Sequence, residues 1–198
     1  MNLSRRGLLK ASLLSSTATA SGFAWSTGNS VSDSDVKRVL DEATQLLIQS
    51  YPETATSAGI DTGEYAALKF KLSDRTFAGQ EKIKTATKDV LAKLNSLDVQ
   101  KMSAEQALDV NVVRSVFELA SAGFDQPYGD MAMLNYNWSY RPSPYVIAQN
   151  TGAFVEIPSF LDSSHSVKSQ EDVDAYLMRM RAYASPVSYT HLTLPTIA

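Results

Sequence analysis

Apolar residues recur at three- and four-residue spacing along most of the chain, which is the pattern of helices that bury one face. The first helix is predicted to start at Asp33, with Ser32 or Asp33 placed to cap it. Pro52 suits the first turn of a second helix, and Gly59 suits its end. Residues 63–71 are predicted to form a loop or a short turn. The predicted buried stripe of the first helix consists of Val36, Val39, Leu40, Ala43, Leu46 and Leu47.

Two longer helices follow, each with a polar residue placed at its start. Asp74 is in position to cap the third helix, and the sequence from Ser103 to Gln106 forms a capping box for the fourth. Gly123 suits the end of that fourth helix. The third helix is predicted to bury Ile83, Val90, Leu91, Leu94 and Leu97, and the fourth to bury Ala107, Leu108, Val112, Val116 and Leu119.

The periodic pattern breaks after the fourth helix. Residues 124–149 combine prolines with many aromatic rings, and they predict an irregular connector that lies over the helices. A helix is predicted to resume near Ala153 and to be limited by Pro158, and the box from Ser169 to Asp172 opens a last helix. The predicted fold class is mainly α, an irregular multi-helix arrangement forming one domain or part of one. The last helix carries in register Val173, Tyr176, Leu177 and Met180.

Composition narrows the class of protein. The 198 residues are 44% hydrophobic and 20% charged, which is typical of a soluble globular chain. A formal charge of −3 with no basic cluster gives no reason to expect nucleic acid as a partner. The absence of cysteine from the sequence excludes disulfides, thiol nucleophiles and cysteine-ligated metal sites.

The first 24 residues have the pattern of an export signal. A basic pair precedes an apolar run over residues 8–14 and then small residues that suit signal peptidase, with cleavage near residue 20 or 24. The run is too short for a stable membrane anchor. We therefore expect recognition by the twin-arginine export machinery and a periplasmic or extracellular location. The residues that resemble the twin-arginine motif are Ser4, Arg5, Arg6, Leu8, Leu9 and Lys10, with Leu8 where phenylalanine is commonest.

Candidate chemistry is sparse. The chain has two histidines, His165 and His191, and neither has a second histidine or a carboxylate at metal-ligand spacing on a shared helix face. The sequence contains no glycine-rich phosphate loop and no nucleophile elbow. His165 lies just ahead of a helix start, so we predict a structural role in which it bonds a cap or the backbone. No catalytic or metal-binding residue is assigned.

Two further groups of residues have open interpretations. The rings of the segment "NYNWSYRPSPYVIAQNTG" either pin a proline-rich stretch to the core, the favoured interpretation, or line a substrate groove. Four carboxylates could in principle pair for acid–base chemistry. We expect them instead on solvated helix faces and turn caps, and they are Asp109, Glu118, Asp125 and Asp130.

The order of motifs resembles the bacterial family called domain of unknown function 885. The similar stretches are "SYPETATSAGI", the helix ending "LNSLD", "SAEQALDVNVVR" and "SPYVIAQNTGAFVEIPSFLDSSHSVKSQEDVDAYLMRM". The resemblance as a whole covers about residues 33–184. The most specific positions are Pro144, Tyr145, Gln149, Gly152, Pro158, Phe160, Leu161, His165, Asp172, Tyr176 and Leu177.

This resemblance implies a larger helical, metallopeptidase-like fold. Family members look like zinc-dependent peptidases, with a His-Glu motif followed by Pro-Gly-His-His in the C-terminal half, and this sequence has no counterpart of those residues. The resemblance therefore implies zinc in the full-length parent and none in this chain. It also implies that the N-terminal helices pack on the missing C-terminal half, where Tyr145 and Gln149 are candidates for lining the substrate groove.

The tail "SPVSYTHLTLPTIA" does not continue the helical pattern. Val187 to Thr196 match, without a mismatch, the translation of a transposase end sequence used in DNA library preparation. We therefore expect encoded sequence to stop near Ser185 and His191 to have no biological meaning. The expected division is a signal peptide over residues 1–24, a helical part over 25–185 and an adapter-derived artefact over 186–198.

The leading hypothesis is an N-terminal fragment of an exported peptidase-like protein whose parent hydrolyses peptide or amide bonds. The fragment itself is predicted to be inactive because it lacks the His-Glu motif. The alternative is an exported helical module that binds a ligand without catalysis, and a purely structural helical domain is a third option. Only the peptidase-like hypothesis requires a His-Glu motif downstream of Ser185.

Overall fold

The computed structural model describes residues 32–126, Leu134 and residues 152–186, and these residues form helices and no strands. This confirms the mainly α fold class. A long 3-10 helix (Gly63–Phe70) lies between α2 and α3, and a short one (Val99–Lys101) between α3 and α4. The α-helices are α1 Asp33–Ser50, α2 Pro52–Ser57, α3 Phe77–Ser96, α4 Ala104–Phe124, α5 Ala153–Ser163 and α6 Gln170–Ala182.

Helices α1, α3 and α4 pack against one another around the main core. The predicted stripes of α1 and α3 are confirmed, because their apolar residues are buried or half-buried in this core. Burial of such side chains supplies most of the stability that holds helices together. The buried members of the main core are Val36, Val39, Ala43, Ile83, Val90, Leu94, Val110, Phe117, Ala120 and Leu134.

The predicted buried face of α4 is wrong. Its apolar residues are largely exposed: Leu108 is 63% exposed, Val112 56%, Val116 41% and Leu119 53%. The helix is apolar on two sides, and α1 and α3 cover the side that carries Phe117. Burying a large aromatic ring removes more apolar area from water than burying a valine, which favours this orientation.

The structure confirms two predicted caps and corrects a third. The capping boxes at Ser103 and Ser169 are both formed. At α3 the cap is Thr76, whose Oγ1 accepts from the backbone N–H of Gly79 at 3.1 Å. Asp74 does not cap the helix, because its carboxylate accepts from the N–H and the hydroxyl of Thr76 at 3.0 and 2.7 Å.

Three smaller differences concern helix bounds and caps. Residues 63–70 form a 3-10 helix rather than a loop, and the buried Leu68 anchors it. Helix α4 continues one residue past Gly123, which is within the normal spread of helix ends. At α1, Ser32 occupies the N-cap position, but its hydroxyl bonds the Ser34 hydroxyl at 2.5 Å rather than a backbone N–H of the helix.

A second core lies between α5 and α6. Its buried residues are Ala153, Ile157, Phe160 and Leu161, and Leu72, Tyr176 and Tyr183 pack against them. No helix within the described ranges is both long and apolar enough to cross a membrane.

Pro158 does not limit α5, which runs on to Ser163. A proline removes the N–H that would bond the carbonyl four residues earlier, here that of Phe154. The hydroxyl of Tyr183 donates to the Phe154 carbonyl at 3.2 Å, so this acceptor still receives a hydrogen bond.

The predicted buried side of α6 is only partly correct. Val173 and Tyr176 are half-buried, but Leu177 and Met180 are exposed. The buried side chains are instead those of Asp172, Ala175 and Arg179. The last helix therefore turns two charged residues inward, and these residues build the site described next.

Candidate functional site

Arg179 lies in the last turn of α6 and is 0% exposed. Its Nε donates to the Lys71 carbonyl at 2.9 Å, and its Nη2 donates to the Leu68 carbonyl at 3.1 Å and to the Thr56 hydroxyl at 2.8 Å. Its Nη1 donates to Nδ1 of His165 at 2.8 Å. We call the group formed by Arg179, His165, Asp172, Thr56 and Asp61 the arginine hub.

The protonation of His165 in the hub follows from its partners. A guanidinium has no acceptor, so Nδ1 of His165 must accept the bond from Arg179. The other ring nitrogen, Nε2, is 2.9 Å from the Asp172 carbonyl oxygen and must donate to it. His165 is therefore the neutral Nε2–H tautomer. This confirms the predicted structural role for His165, because the ring bonds the backbone at the start of α6.

Aromatic rings close the hub on the side of the second core. The guanidinium carbon of Arg179 lies 4.8 Å from the centre of the Phe160 ring, a distance typical of a cation–π contact. The Tyr176 ring meets the His165 ring edge-on, with 5.4 Å between their centres. Phe160 and Tyr176 both belong to the second core or pack against it, so the hub and the second core are in direct contact.

Burial changes the proton affinity of the arginine. Loss of hydration lowers the pKa of Arg179 to about 10, while the negative charges of Glu53 and Asp61 oppose that shift. The guanidinium is still charged at neutral pH. Its four hydrogen bonds described above go to uncharged acceptors, so the hub holds a buried cation by hydrogen bonds rather than by a direct ion pair.

Asp172 joins the capping box of α6 to the long 3-10 helix. One carboxylate oxygen accepts from Nζ of Lys69 at 2.8 Å. The other accepts from the backbone N–H groups of Lys168 and Ser169 at 3.0 and 2.9 Å, and from the Ser169 hydroxyl at 2.8 Å. The bond from Lys69, together with the bonds from Lys168 and Ser169, holds the pKa of Asp172 well below its usual range.

Thr56 and Asp61 continue the hub into α2. The Thr56 hydroxyl accepts from Arg179 and donates to the Asp61 carboxylate at 2.8 Å. Asp61 is itself buried. The hydroxyl thus links the positive charge of Arg179 to a buried negative charge without direct contact between them.

Two carboxylates outside the hub fasten the segment that precedes α3. Glu53 accepts from the N–H of Ser73 at 3.0 Å and from its hydroxyl at 2.5 Å. Glu156 in α5 pairs with Arg75 at 2.5 Å and accepts from the Gly152 N–H at 2.9 Å. The chain around Ser73 is therefore tied to both α2 and α5.

The geometry of the hub is that of a structural contact between helices rather than that of a reaction centre. Four of the five N–H donors of Arg179 and both nitrogens of His165 have hydrogen-bond partners, and Arg179, His165 and Asp172 are buried. No group of three or more His, Cys, Asp or Glu side chains in the described ranges is placed to hold a metal ion. The arrangement can anchor α5 and α6, and it can respond to proton uptake.

The other predicted site residues fall into two groups. Asp109 and Glu118 are exposed on α4, and exposed Asp125 pairs with Lys88 at 2.7 Å, so the prediction of solvated carboxylates is confirmed for these three. Lys88 also lowers the pKa of Asp125. Outside the described residues lie Tyr145, Gln149, Asp130, His191 and the signal residues Ser4, Arg5, Arg6, Leu8, Leu9 and Lys10.

Sequence reasoning missed Arg179. The available signal was its register, because residues 172, 175 and 179 share one side of a helix. An arginine beside an aspartate in such a stripe ordinarily indicates a solvated face. Only a partner outside the helix, such as His165, makes the buried arrangement recognisable.

Comparison with known proteins gives one match. The model of the family described as "Bacterial protein of unknown function (DUF885)" matches residues 52–191. The match covers more than half of the chain and contains every residue of the arginine hub. It also extends into the first residues of the tail at 186–198. No curated protein and no solved structure matches the chain.

Proposed function

The chain belongs to the DUF885 family of bacterial proteins, and from that premise we propose that it is the N-terminal helical part of an exported protein resembling zinc-dependent peptidases. In this proposal the parent hydrolyses peptide or amide bonds outside the cytoplasm. The described helices form the surface on which the catalytic half packs. The His-Glu motif that would hold zinc has no counterpart in this sequence, so we assign no step of hydrolysis to these residues.

The observation that carries this proposal is the outward face of α4. Residues at positions 108, 112, 116 and 119 follow helical spacing, and all four are apolar and exposed. We call them the α4 stripe. A helix that is apolar on two sides is typical of one packed between two neighbours, and α1 and α3 cover only one of its sides.

Helix α6 supports the same assignment. Leu177, Met178 and Met180 are each close to half exposed. Exposed apolar side chains on a helix are typical of an interface, and the resemblance supplies the partner, a C-terminal half of the same polypeptide. Packing of that half on the helices would position its groove without requiring a catalytic group from this chain.

The test uses full-length protein expressed from the continuous reading frame. Val112→Asp combined with Val116→Asp places two charges in the α4 stripe, and Asn111→Asp is the matched control because it adds a charge to the same helix away from the stripe. We expect the double variant to lose most peptide hydrolysis and to become sensitive to proteolysis between the two halves.

Unchanged hydrolysis and protease resistance in the double variant would contradict the packing assignment. A full-length protein that binds no zinc and hydrolyses no peptide would contradict the peptidase assignment. If such a protein still bound a small ligand, the favoured function would be that of a helical ligand-binding module without catalysis.

A further inference from the structure

Hydrogen bonds and ion pairs attach α5 and α6 to the preceding part of the described chain, and Leu72 adds an apolar contact with the second core. Helix α6 packs on the long 3-10 helix, which packs on α2, and α2 in turn contacts α1. Within the described residues, the second core has the four buried apolar residues given above. The bonds of Arg179 to Thr56, Leu68 and Lys71 cross this junction and connect α6 to the N-terminal helices.

His165 can accept the hydrogen bond from Arg179 only while the imidazole ring is neutral. The ring is 6% exposed, and its Nδ1 is the acceptor for Nη1 of Arg179 at 2.8 Å. A proton on Nδ1 would remove that acceptor and place a second positive charge at hydrogen-bond distance from the guanidinium. Two buried like charges at that distance repel strongly, because the protein interior screens them weakly.

The charged groups around the ring are already engaged with other partners. The carboxylate of Asp172 binds Lys69 and the start of α6, and only its backbone carbonyl meets His165. From α2 and the residues after it, Glu53 binds Ser73 and Asp61 binds Thr56. Tyr176 meets the ring through its own ring edge. These arrangements would have to break before a carboxylate could pair with a charged His165.

We propose that the His165–Arg179 pair is an acid-sensitive latch, in which proton uptake by His165 releases α5 and α6 from α2 and the long 3-10 helix. The attached state excludes a proton that the released state can bind, so attachment weakens as the pH falls. Histidine is the side chain that ordinarily changes charge between about pH 5 and 8. One proton shifts the release equilibrium by up to about tenfold per pH unit.

The experiment is amide hydrogen exchange on the 198-residue chain at low micromolar concentration, at pH 8 and pH 5.5, corrected for intrinsic exchange rates. We expect protection of α5 and α6 to fall by up to about tenfold at pH 5.5, while protection of α3 and α4 changes much less. Equal loss in both regions, or no loss in α5 and α6, would overturn the proposal.

Two matched variants identify the group responsible. His165→Asn retains an oxygen that can accept from Arg179 but cannot take up a proton in this range, so its α5 and α6 protection should not depend on pH. His191→Asn removes the other histidine of the chain and should keep the full dependence. The reverse pattern would overturn the latch.

The unaltered protein provides a test that does not depend on a variant folding. Nitrogen-15 NMR of the imidazole rings at pH 8 should show His165 as the Nε2–H tautomer. A proton on Nδ1, or a charged His165 in a chain whose α5 and α6 remain fully protected, would contradict the latch.

Discussion

At the scale of single residues, one buried cation connects elements that are far apart in sequence. Arg179 binds carbonyl and hydroxyl oxygens contributed by residues more than 100 positions earlier. A buried polar group of this kind costs desolvation energy, and the cost is offset only when each donor has a partner. The hub therefore matters more for which helices meet than for the total stability.

Replacing Arg179 tests this account. Arg179→Lys keeps the charge but cannot span the four acceptors, which leaves buried acceptors unsatisfied at about 1–3 kcal/mol each. We expect the free energy of unfolding to fall by about 3 kcal/mol, measured from denaturant midpoints at equal slope. Arg181→Lys, on the exposed side of α6, should change it by less than about 0.5 kcal/mol. Equal effects of the two variants would contradict the hub.

Asp172 gives the hub a second pH dependence, separate from that of His165. The pKa of Asp172 is lowered in the folded state by Lys69 and by the donors at the start of α6. The ionised carboxylate therefore stabilises the fold at pH values above the ordinary aspartate pKa of about 4. That contribution is lost as the pH falls through the lowered value.

The variant Asp172→Asn should therefore be less stable than the unaltered chain at pH 7, and the difference should shrink below about pH 4. Denaturant midpoints between pH 7 and pH 2 measure it. Asp174→Asn removes a carboxylate from the exposed side of the same helix and should show little difference at either pH. A constant difference for Asp172→Asn across the whole range would exclude the charge of Asp172 as its cause.

At the scale of elements, the sequence predicted where helices occur better than which face they bury. The capping boxes at Ser103 and Ser169 were predictable because both partners lie within four residues of each other. Which side of α4 is buried could not be predicted, because the helix is apolar on two sides. Only contact with α1 and α3 determines which of the two sides is buried. The burial of α6 depends on His165 and on carbonyls of residues 68 and 71, which no local pattern identifies.

Truncation of two α4 residues tests the orientation of this helix. Phe117→Ala removes a side chain from the main core and should lower the free energy of unfolding by about 3–5 kcal/mol. Leu108→Ala acts on the exposed α4 stripe and should lower it by less than about 1 kcal/mol. Thermal or denaturant unfolding of the 198-residue chain measures both. A larger loss of stability for Leu108→Ala than for Phe117→Ala would show that α4 buries the face predicted from periodicity.

At the scale of the whole molecule, the described helices form a scaffold with apolar surface on α4 and α6. The family match agrees with the order of motifs along the chain, and the hub explains how the C-terminal helices are held within it. The substrate groove candidates Tyr145 and Gln149 stay a prediction, as do the export signal and the adapter origin of the tail. Each of these depends on sequence outside the described residues or on the parent protein.

We propose that these helices are the N-terminal part of a longer protein, and sequencing the source DNA across the codon for Ser185 tests this proposal most directly. We predict that the reading frame departs from the tail after that codon and continues for several hundred codons to a His-Glu motif. A genuine stop codon shortly after Ser185, or a DNA sequence that encodes the tail as it stands, would contradict the claim. A helical ligand-binding module would then become the leading function.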